Sequence, residues 1–482
     1  MNVPQRPLRR IGAWGMVQFE VVRARVERAA AAVPMRTLSI AIILAGFVLS
    51  LAVNLPGHMS YDSVLQLAQG REGVYNEWHP PVMAWLLGLG DGLVRGTGLF
   101  VLLDSLLLYG GLLAMALIGP KPSWALPVLA LVFVATPDWL IYPGIVWKDV
   151  LFAGAALAGF AALAWAELRW SERRLRLGLI ALAFLLLSLA TLSRQNGVLV
   201  LPAAALALGW VAARRTPRPR IATSVAYGFV PLACALAMIA AAGSALHARS
   251  DGEPSTAYQL EDLQAYDLAG ALKLQPSLRL GQLETRAPVL ARLIRTEAAP
   301  AFTPERIDPI TAMPDLDMAM FDAPRGALMS QWLDLVLRHP ALYLQIRAID
   351  FDWVALTPDI DSCVPFFVGV EGPEPWISRL GMVNHERPQD AALKAYGEML
   401  TPTPVFWHGL YALAAVALLI ALLRRRAPGD LAVAAMLAAA LGFVASFFVI
   451  SVACDYRYLY FLDVAAMAAA LHAASGRAAK AP

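Results

Sequence analysis

The chain has 482 residues, 59% of them hydrophobic and only 16% charged, with a mean hydropathy of +0.58. A soluble globular chain carries about 45–50% apolar and about 25% charged residues, and here the apolar excess falls in blocks of roughly 17–25 residues, the length that crosses a bilayer core. These figures exclude a soluble enzyme, a disordered or fibrous protein, and a β-barrel, whose strands would alternate polarity in roughly 10-residue segments.

Residues 1–36 hold seven arginines and two acids. An apolar run, 37–55, follows. The preceding basic stretch is too long for a signal peptide, and Asn54-Leu55-Pro56-Gly57 offers no A-x-A cleavage site. The run therefore reads as a first transmembrane helix with a cytoplasmic N-terminus. Further apolar runs lie at 98–118, 124–142, 149–168, 177–193, 197–213, 221–246, 404–423, 431–453 and 458–474. Basic clusters at Arg169/Arg173/Arg174/Arg176, Arg214/Arg215/Arg218/Arg220, Arg424/Arg425/Arg426 and Arg477/Lys480 anchor alternate ends of these runs on one side. Under the positive-inside rule that side is cytoplasmic, as is the tail 475–482.

Segment 247–403 then lies outside. It carries 22 acidic and 13 basic residues, whereas the rest of the chain carries 14 and 26. Its stretch 327–356 spaces Leu328, Trp332, Leu335, Leu342, Ile346 and Ile349 at helical intervals, so a small, mostly helical periplasmic domain is expected between the spans. Run 82–94 is too short to cross and reads as a partial helix at the outer leaflet; counted as a full span it would invert the topology downstream. The expected fold is thus an all-α polytopic membrane protein of about ten transmembrane helices plus one partial helix. It divides into a basic N-terminus (1–36), a membrane module (37–246) with its first outer loop at 56–97, the periplasmic domain (247–403), C-terminal spans (404–474) and a cytoplasmic tail. Cys234, Cys363 and Cys454 form no CxxC pair and predict neither a disulfide nor a zinc site.

Five polar groupings fall near the predicted outer face: His58-Met59-Ser60-Tyr61-Asp62-Ser63, Asn76-Glu77-Trp78-His79-Pro80-Pro81, Trp147-Lys148-Asp149, Ser193-Arg194-Gln195-Asn196-Gly197 and Asp455-Tyr456-Arg457-Tyr458. A single charge at a helix end usually snorkels to water. Five groupings on one face, where the other carries only arginine anchors, point to a site for an anionic, membrane-borne substrate. No Walker loop or GxGxxG pattern appears, which argues against a nucleotide-linked donor; membrane lipids are expected partners and nucleic acid is not.

This layout resembles the GT-C superfamily of integral-membrane glycosyltransferases, in particular protein mannosyltransferases and the aminoarabinose transferase of lipid A. The resemblance covers residues 37–220 and the late Arg-Tyr pair. The first-loop acid stands here in Tyr61-Asp62-Ser63, not in the acid pair or Gly-acid motif frequent in that family. The resemblance implies transfer of a sugar from a polyprenyl phosphate to a glycan, lipid or protein acceptor outside a bacterial inner membrane, with inversion at the anomeric carbon. Phosphate is a weakly basic leaving group, so one carboxylate and a cation suffice. Asp62, expected in a short loop, is the general-base candidate. His79, Lys148, Asp149, Arg194 and Arg457 are candidates for donor-phosphate or substrate binding. Asp62, Asp149 and His79 are also the ligands available to a divalent metal, whose involvement the residues leave open. Asp104, inside run 98–118, is expected to face protein. The alternatives are a transporter or flippase of a lipid-linked saccharide, for which Pro127, Pro202 and Pro231 could break spans but paired halves are missing, and an O-antigen ligase or polymerase, against which the acidic outer segment argues.

Overall fold

The computed structural model describes residues 34–76, 78–216, 221–250 and 256–476. The basic N-terminal stretch up to residue 33, Glu77, Arg218, Arg220, Arg477 and Lys480, all invoked above, lie outside the described residues.

The protein is an all-α polytopic membrane protein. Among the described residues, extended backbone occurs only as isolated bridges. Among the described residues, eight helices are long and apolar enough to cross a bilayer: α1 Met35–Asn54, α4 Gly98–Ala116, α6 Lys148–Leu168, α7 Arg173–Ser193, the segment Gln195–Arg215 containing α8 Val200–Arg215, α9 Ile221–His247, α14 His408–Arg425 and α15 Asp430–Ile450. The predicted run 124–142 is a bent pair, α5 Ala125–Val134 and Pro137–Gly144, turning through 72°. The tenth run becomes α16 Tyr460–Ala474, which has 15 residues and rises about 22 Å. A 3-10 turn, Tyr456–Leu459, precedes it. Pro127 and Pro202 sit in the first turn of their helices, where proline is tolerated, and Pro231 lies inside the continuous α9. The break falls instead before Pro137, because the residue preceding a proline is driven out of the helical region.

α6 forms the centre. It is buried on nearly every face by Ala, Gly, Leu and Phe and packs against α4, α7, α15 and α16. Such small side chains let helices approach closely where no hydrophobic force separates protein from lipid. By contrast, α9 is exposed along almost its whole length, as expected of a peripheral span facing lipid.

The loop 56–97 folds into two short helices, α2 Tyr61–Glu72 and α3 Val82–Leu93. At 12 residues, about 18 Å, α3 is too short to span. The two helices cross at Gly70 and Gly88. A Cβ on Gly70 would lie 2.3 Å from the Ala84 carbonyl oxygen, and one on Gly88 would lie 2.2 Å from that of Gly70. Only glycine at both positions permits this approach. Asp62 therefore stands in the first turn of a helix, not in a short loop: the hydrophobic face of α2 (Val64, Leu67, Ala68) packs on Met83, Leu87 and Val101 and orders the segment.

Beyond α9, the helices α10 Thr256–Leu274, α11 Ala327–Arg338 and α12 Pro340–Leu356 share a hydrophobic cluster built on Tyr266, Leu268, Leu290, Ile294, Leu328, Leu335 and Ile346. The amphipathic stretch 327–356 is broken at His339-Pro340. The later part, including α13 Pro388–Leu400, leans on the membrane bundle through Val354, Leu393 and Phe406. Cys363 and Cys454 are joined in a disulfide, against the sequence expectation of none. They lie 91 residues apart, and the fold brings their Cα atoms to 5.1 Å. Cys234 on α9 is free and exposed.

Candidate active site

The backbone first brings two segments side by side. The His58 amide donates to the Gly144 carbonyl (2.8 Å), and the Val146 amide donates to the His58 carbonyl (2.9 Å). Asn54 at the end of α1 donates to the Leu140 carbonyl (2.7 Å) and pairs with His58 Nε2 (2.8 Å). Gly144 has no room for a side chain, since its Cβ would sit 2.2 Å from that of Asn54. The start of α2 is thereby set beside the start of α6, so Asp62 faces Lys148 and Asp149. An extended stretch of segment 247–403 joins on: the Met59 amide donates to the Gly369 carbonyl (2.9 Å) and the Glu371 amide to the Met59 carbonyl (2.9 Å).

On this frame the six sequence candidates form one network, drawn from five chain segments. Lys148 Nζ lies 2.8 Å from His79 Nδ1. His79 Nε2 lies 3.5 Å from Asp62 Oδ1. Arg457 Nη2 donates to Asp62 Oδ2 at 2.9 Å and reaches Asp455 Oδ2 at 2.9 Å, while its Nε lies 4.0 Å from Asp149 Oδ2. Arg194 pairs with Asp149 Oδ1. Asp149 Oδ2 is buried and has no hydrogen-bond donor among the described residues.

Each position has a local reason. Pro80 and Pro81 prevent helix before Val82, leaving His79 on a bend that can turn inward. Asp149 sits in the first turn of α6, where the helix dipole favours a negative charge. Arg194 caps α7 in an extended conformation and stands at a negative helix end. Its guanidinium lies over the rings of Tyr458 (5.1 Å) and Phe447 (5.5 Å). Arg457 lies over Trp147 at 4.8 Å, and Trp147 Nε1 is held by Ser60 Oγ at 2.9 Å. Cation–π contacts of this kind fix a guanidinium without consuming its hydrogen-bond donors.

The electrostatics follow from these distances. Burial would raise the Asp62 carboxyl. The hydrogen bond from His79 and the charges of Arg457 and Lys148 outweigh that and hold it well below the usual carboxylate range. Burial, reinforced by the Lys148 charge, pushes His79 down to about 4 against the pull of Asp62. The imidazole is therefore neutral at pH 7. Since Lys148 donates to Nδ1, its proton sits on Nε2, facing Asp62. Three acidic side chains (Asp62, Asp149, Asp455) thus face three basic ones (Lys148, Arg194, Arg457).

Asp62, Asp149 and His79 do not stand together as a ligand set in this arrangement. Arginines occupy both carboxylates, and among the described residues no group of three His, Cys, Asp or Glu side chains is placed to hold one. Asp104 is fully buried with both oxygens unpartnered among the described residues, away from this network. A cavity of about 440 Å³ opens elsewhere, between Arg279, Asp334, Arg338 and His339; none of the six candidates lines it. The site residues that sequence reasoning missed are Asp455, Trp147 and Ser60. All three lie inside motifs already singled out, and an acid two residues before Arg457 was the available signal.

No protein-family model matches this chain, and no curated protein matches it. Among solved structures it is similar to the archaeal oligosaccharyltransferase AglB from Archaeoglobus fulgidus, in complex with an inhibitory peptide and a dolichol-phosphate. The identity is 12% and the TM-score 0.39, over 90% of this chain and 50% of that one. This chain thus spans half the length of that protein.

Proposed function

We propose that the protein is a GT-C-type glycosyltransferase that moves a sugar from a polyprenyl phosphate to a glycan, lipid or protein acceptor on the outer face of a bacterial inner membrane. The observation that carries this reading is the network itself: arginines at helix ends, paired with exchangeable carboxylates, around one partly exposed aspartate. The Cys363–Cys454 disulfide supports the outer location, since stable disulfides belong to oxidising compartments.

The donor phosphate binds Arg457 and Arg194, with Lys148 adjacent, and displaces carboxylates that now hold them. Guanidinium offers paired donors that match phosphate oxygens. The same exchange answers a difficulty in the resting site. A carboxylate gripped by several cations is a weak base. Once phosphate draws Arg457 and Lys148 away, Asp62 keeps only the neutral His79 as a donor, and its basicity rises toward that of an ordinary carboxylate. Asp62 then takes the proton of the acceptor hydroxyl as that oxygen attacks the anomeric carbon. The carbon–oxygen bond to phosphate breaks, its electron pair stays on the phosphate oxygen, and the arginines stabilise the charge. Attack opposite the phosphate inverts the anomeric centre.

The test is mass spectrometry of lipid A, surface polysaccharide and exported proteins from a deletion strain carrying either the wild-type chain or Asp62→Asn. A glycan lost on deletion, restored by wild type and not by the variant, is the expected result. Restoration by Asp62→Asn to more than a tenth of wild type removes Asp62 from the role of base, because such catalysis contributes roughly 10²–10⁴-fold.

A further inference from the structure

Arg457 is delivered to the site by a short stretch, residues 451–455, that leaves α15 and turns back toward α16. The outer segment fastens this stretch at two places. At its start, the fully buried Arg347 of α12 donates to the carbonyls of Val449 (3.1 Å) and Ser451 (2.9 Å), while Asp350 (2.5 Å) and Asp267 neutralise its charge. At its end, Cys454 is bonded to Cys363, and both cysteines are fully buried. The Cys454 amide also donates to the Glu305 carbonyl (3.0 Å), and Arg306 binds the Ser362 carbonyl (2.9 Å). Three distant parts of the chain therefore meet one residue before Asp455. Asp455 grips the Arg457 guanidinium through Nε (3.0 Å) and Nη2 (2.9 Å).

We infer that the Cys363–Cys454 disulfide is a positioning element of the site: it fixes Asp455, and through Asp455 the orientation of the Arg457 guanidinium toward the donor phosphate. The inference rests on reading Arg457 as a phosphate ligand, but its mechanical half stands apart from that reading. A bond that only stabilised the outer segment would need no partner beside the catalytic network. Here one cysteine adjoins the aspartate that holds the arginine, and the loop has almost no free backbone between its two ties. Without the disulfide, residues 452–455 keep the backbone bonds to 305–306 and the packing of Val452, but the covalent tie beside Asp455 is gone, and Arg457 exchanges among Asp62, Asp149 and water.

The experiment compares the full chain in detergent micelles with Cys363→Ser/Cys454→Ser. Arginine modification by phenylglyoxal, mapped by peptide mass spectrometry, reads the exposure of Arg457; Arg71 and Arg387, paired to Asp91 and Asp390 and not to residues 451–455, are internal controls. Binding of a long-chain polyprenyl phosphate, against the neutral polyprenol, reads the site. The expected result is about tenfold faster modification at Arg457, the change that loss of one charge-assisted hydrogen bond produces. The controls stay unchanged and polyprenyl phosphate binds more weakly. An unchanged Arg457 rate overturns the inference. Faster Arg457 modification in a protein whose lipid-phosphate binding is indifferent to Arg457→Ala supports the mechanical tie and removes the phosphate-ligand reading instead. If the controls react faster as well, Cys363→Ala/Cys454→Ala, which buries no hydroxyl, replaces the first variant and is judged by the same criterion.

Discussion

Asp430 and Asp62, each clasped by an arginine and a histidine at opposite ends of the bundle, are built for different ends. Asp430, at the start of α15, receives Arg425 Nε at 2.9 Å, His472 Nε2 at 2.8 Å and the backbone amide of Ala427 at 2.7 Å, and is 1% exposed. Asp62 has Arg457 at 2.9 Å and His79 at 3.5 Å, and its side chain is 28% exposed. The first cluster is closed by its own turn, through the Ala427 amide, and sits beside Arg424, Arg425 and Arg426. In the second, every partner is a side chain that can rotate away. Saturation by backbone marks a structural clamp; partners that are all exchangeable, at an open mouth, mark a site.

The same substitution at both positions is the sharpest way to break this contrast. Asp62→Asn is expected to lower transfer by roughly 10²–10⁴-fold with no loss of thermal stability or membrane insertion. Asp430→Asn strips charge from a buried pair and is expected to cost about 3–5 kcal/mol of stability, leaving the rate per folded molecule intact. Thermal melts alongside a transfer assay on the folded fraction check both. Equal stability losses would erase the distinction.

A smaller effect is expected at the arginines. Arg457→Ala and Arg194→Ala should each weaken use of the donor by about tenfold or more, since a charged hydrogen bond contributes about 1.5–3 kcal/mol. The lysine variants should recover only part, keeping the charge and losing the fork. Rates at low donor concentration decide it; alanine and lysine variants indistinguishable from wild type would leave Lys148 as the cation to test.

The pH profile tests the electrostatics. Asp62 is held below the usual carboxylate range and His79 is lowered to about 4, so neither changes protonation between pH 7 and pH 5. The transfer rate should be flat across that window at low donor concentration. An acidic limb near pH 6.5 that disappears in His79→Gln would show a histidine that titrates normally.

The smallest perturbation concerns orientation. In a Cys234→Ser background, Ser378→Cys should react with an impermeant thiol reagent in whole cells and Ser171→Cys should not; both serines are exposed. Labelling at 171 without labelling at 378 places the Asp430 cluster, not Asp62, on the outer face.

Much of this was legible because charges beside membrane spans are costly and therefore informative. Asp62, His79, Lys148, Asp149, Arg194 and Arg457 stand out against apolar neighbours, and the structure brings all six together. The helical state of Asp62 was hidden, because α2 has little hydrophobic contrast of its own and is ordered by the Gly70–Gly88 contact with α3, a tertiary event. The bend before Pro137 was hidden inside an unbroken apolar run. The disulfide was hidden for a different reason. Pairing depends on the fold closing a 91-residue separation, and three cysteines of similar setting carry no sign of which two will meet. Asp455 was visible as a letter but not as a partner, since its role exists only relative to where Arg457 points.

The most direct measurement is of the leaving group. The purified chain is reconstituted with polyprenyl-phosphate-linked sugars extracted from membranes, supplied with acceptor membranes from a deletion strain, and assayed for free polyprenyl phosphate. The account predicts release that depends on the acceptor membranes and on Asp62, with no release when a sugar nucleotide replaces the lipid donor. Release by wild type no greater than by Asp62→Asn, across the extracted donors, would contradict it.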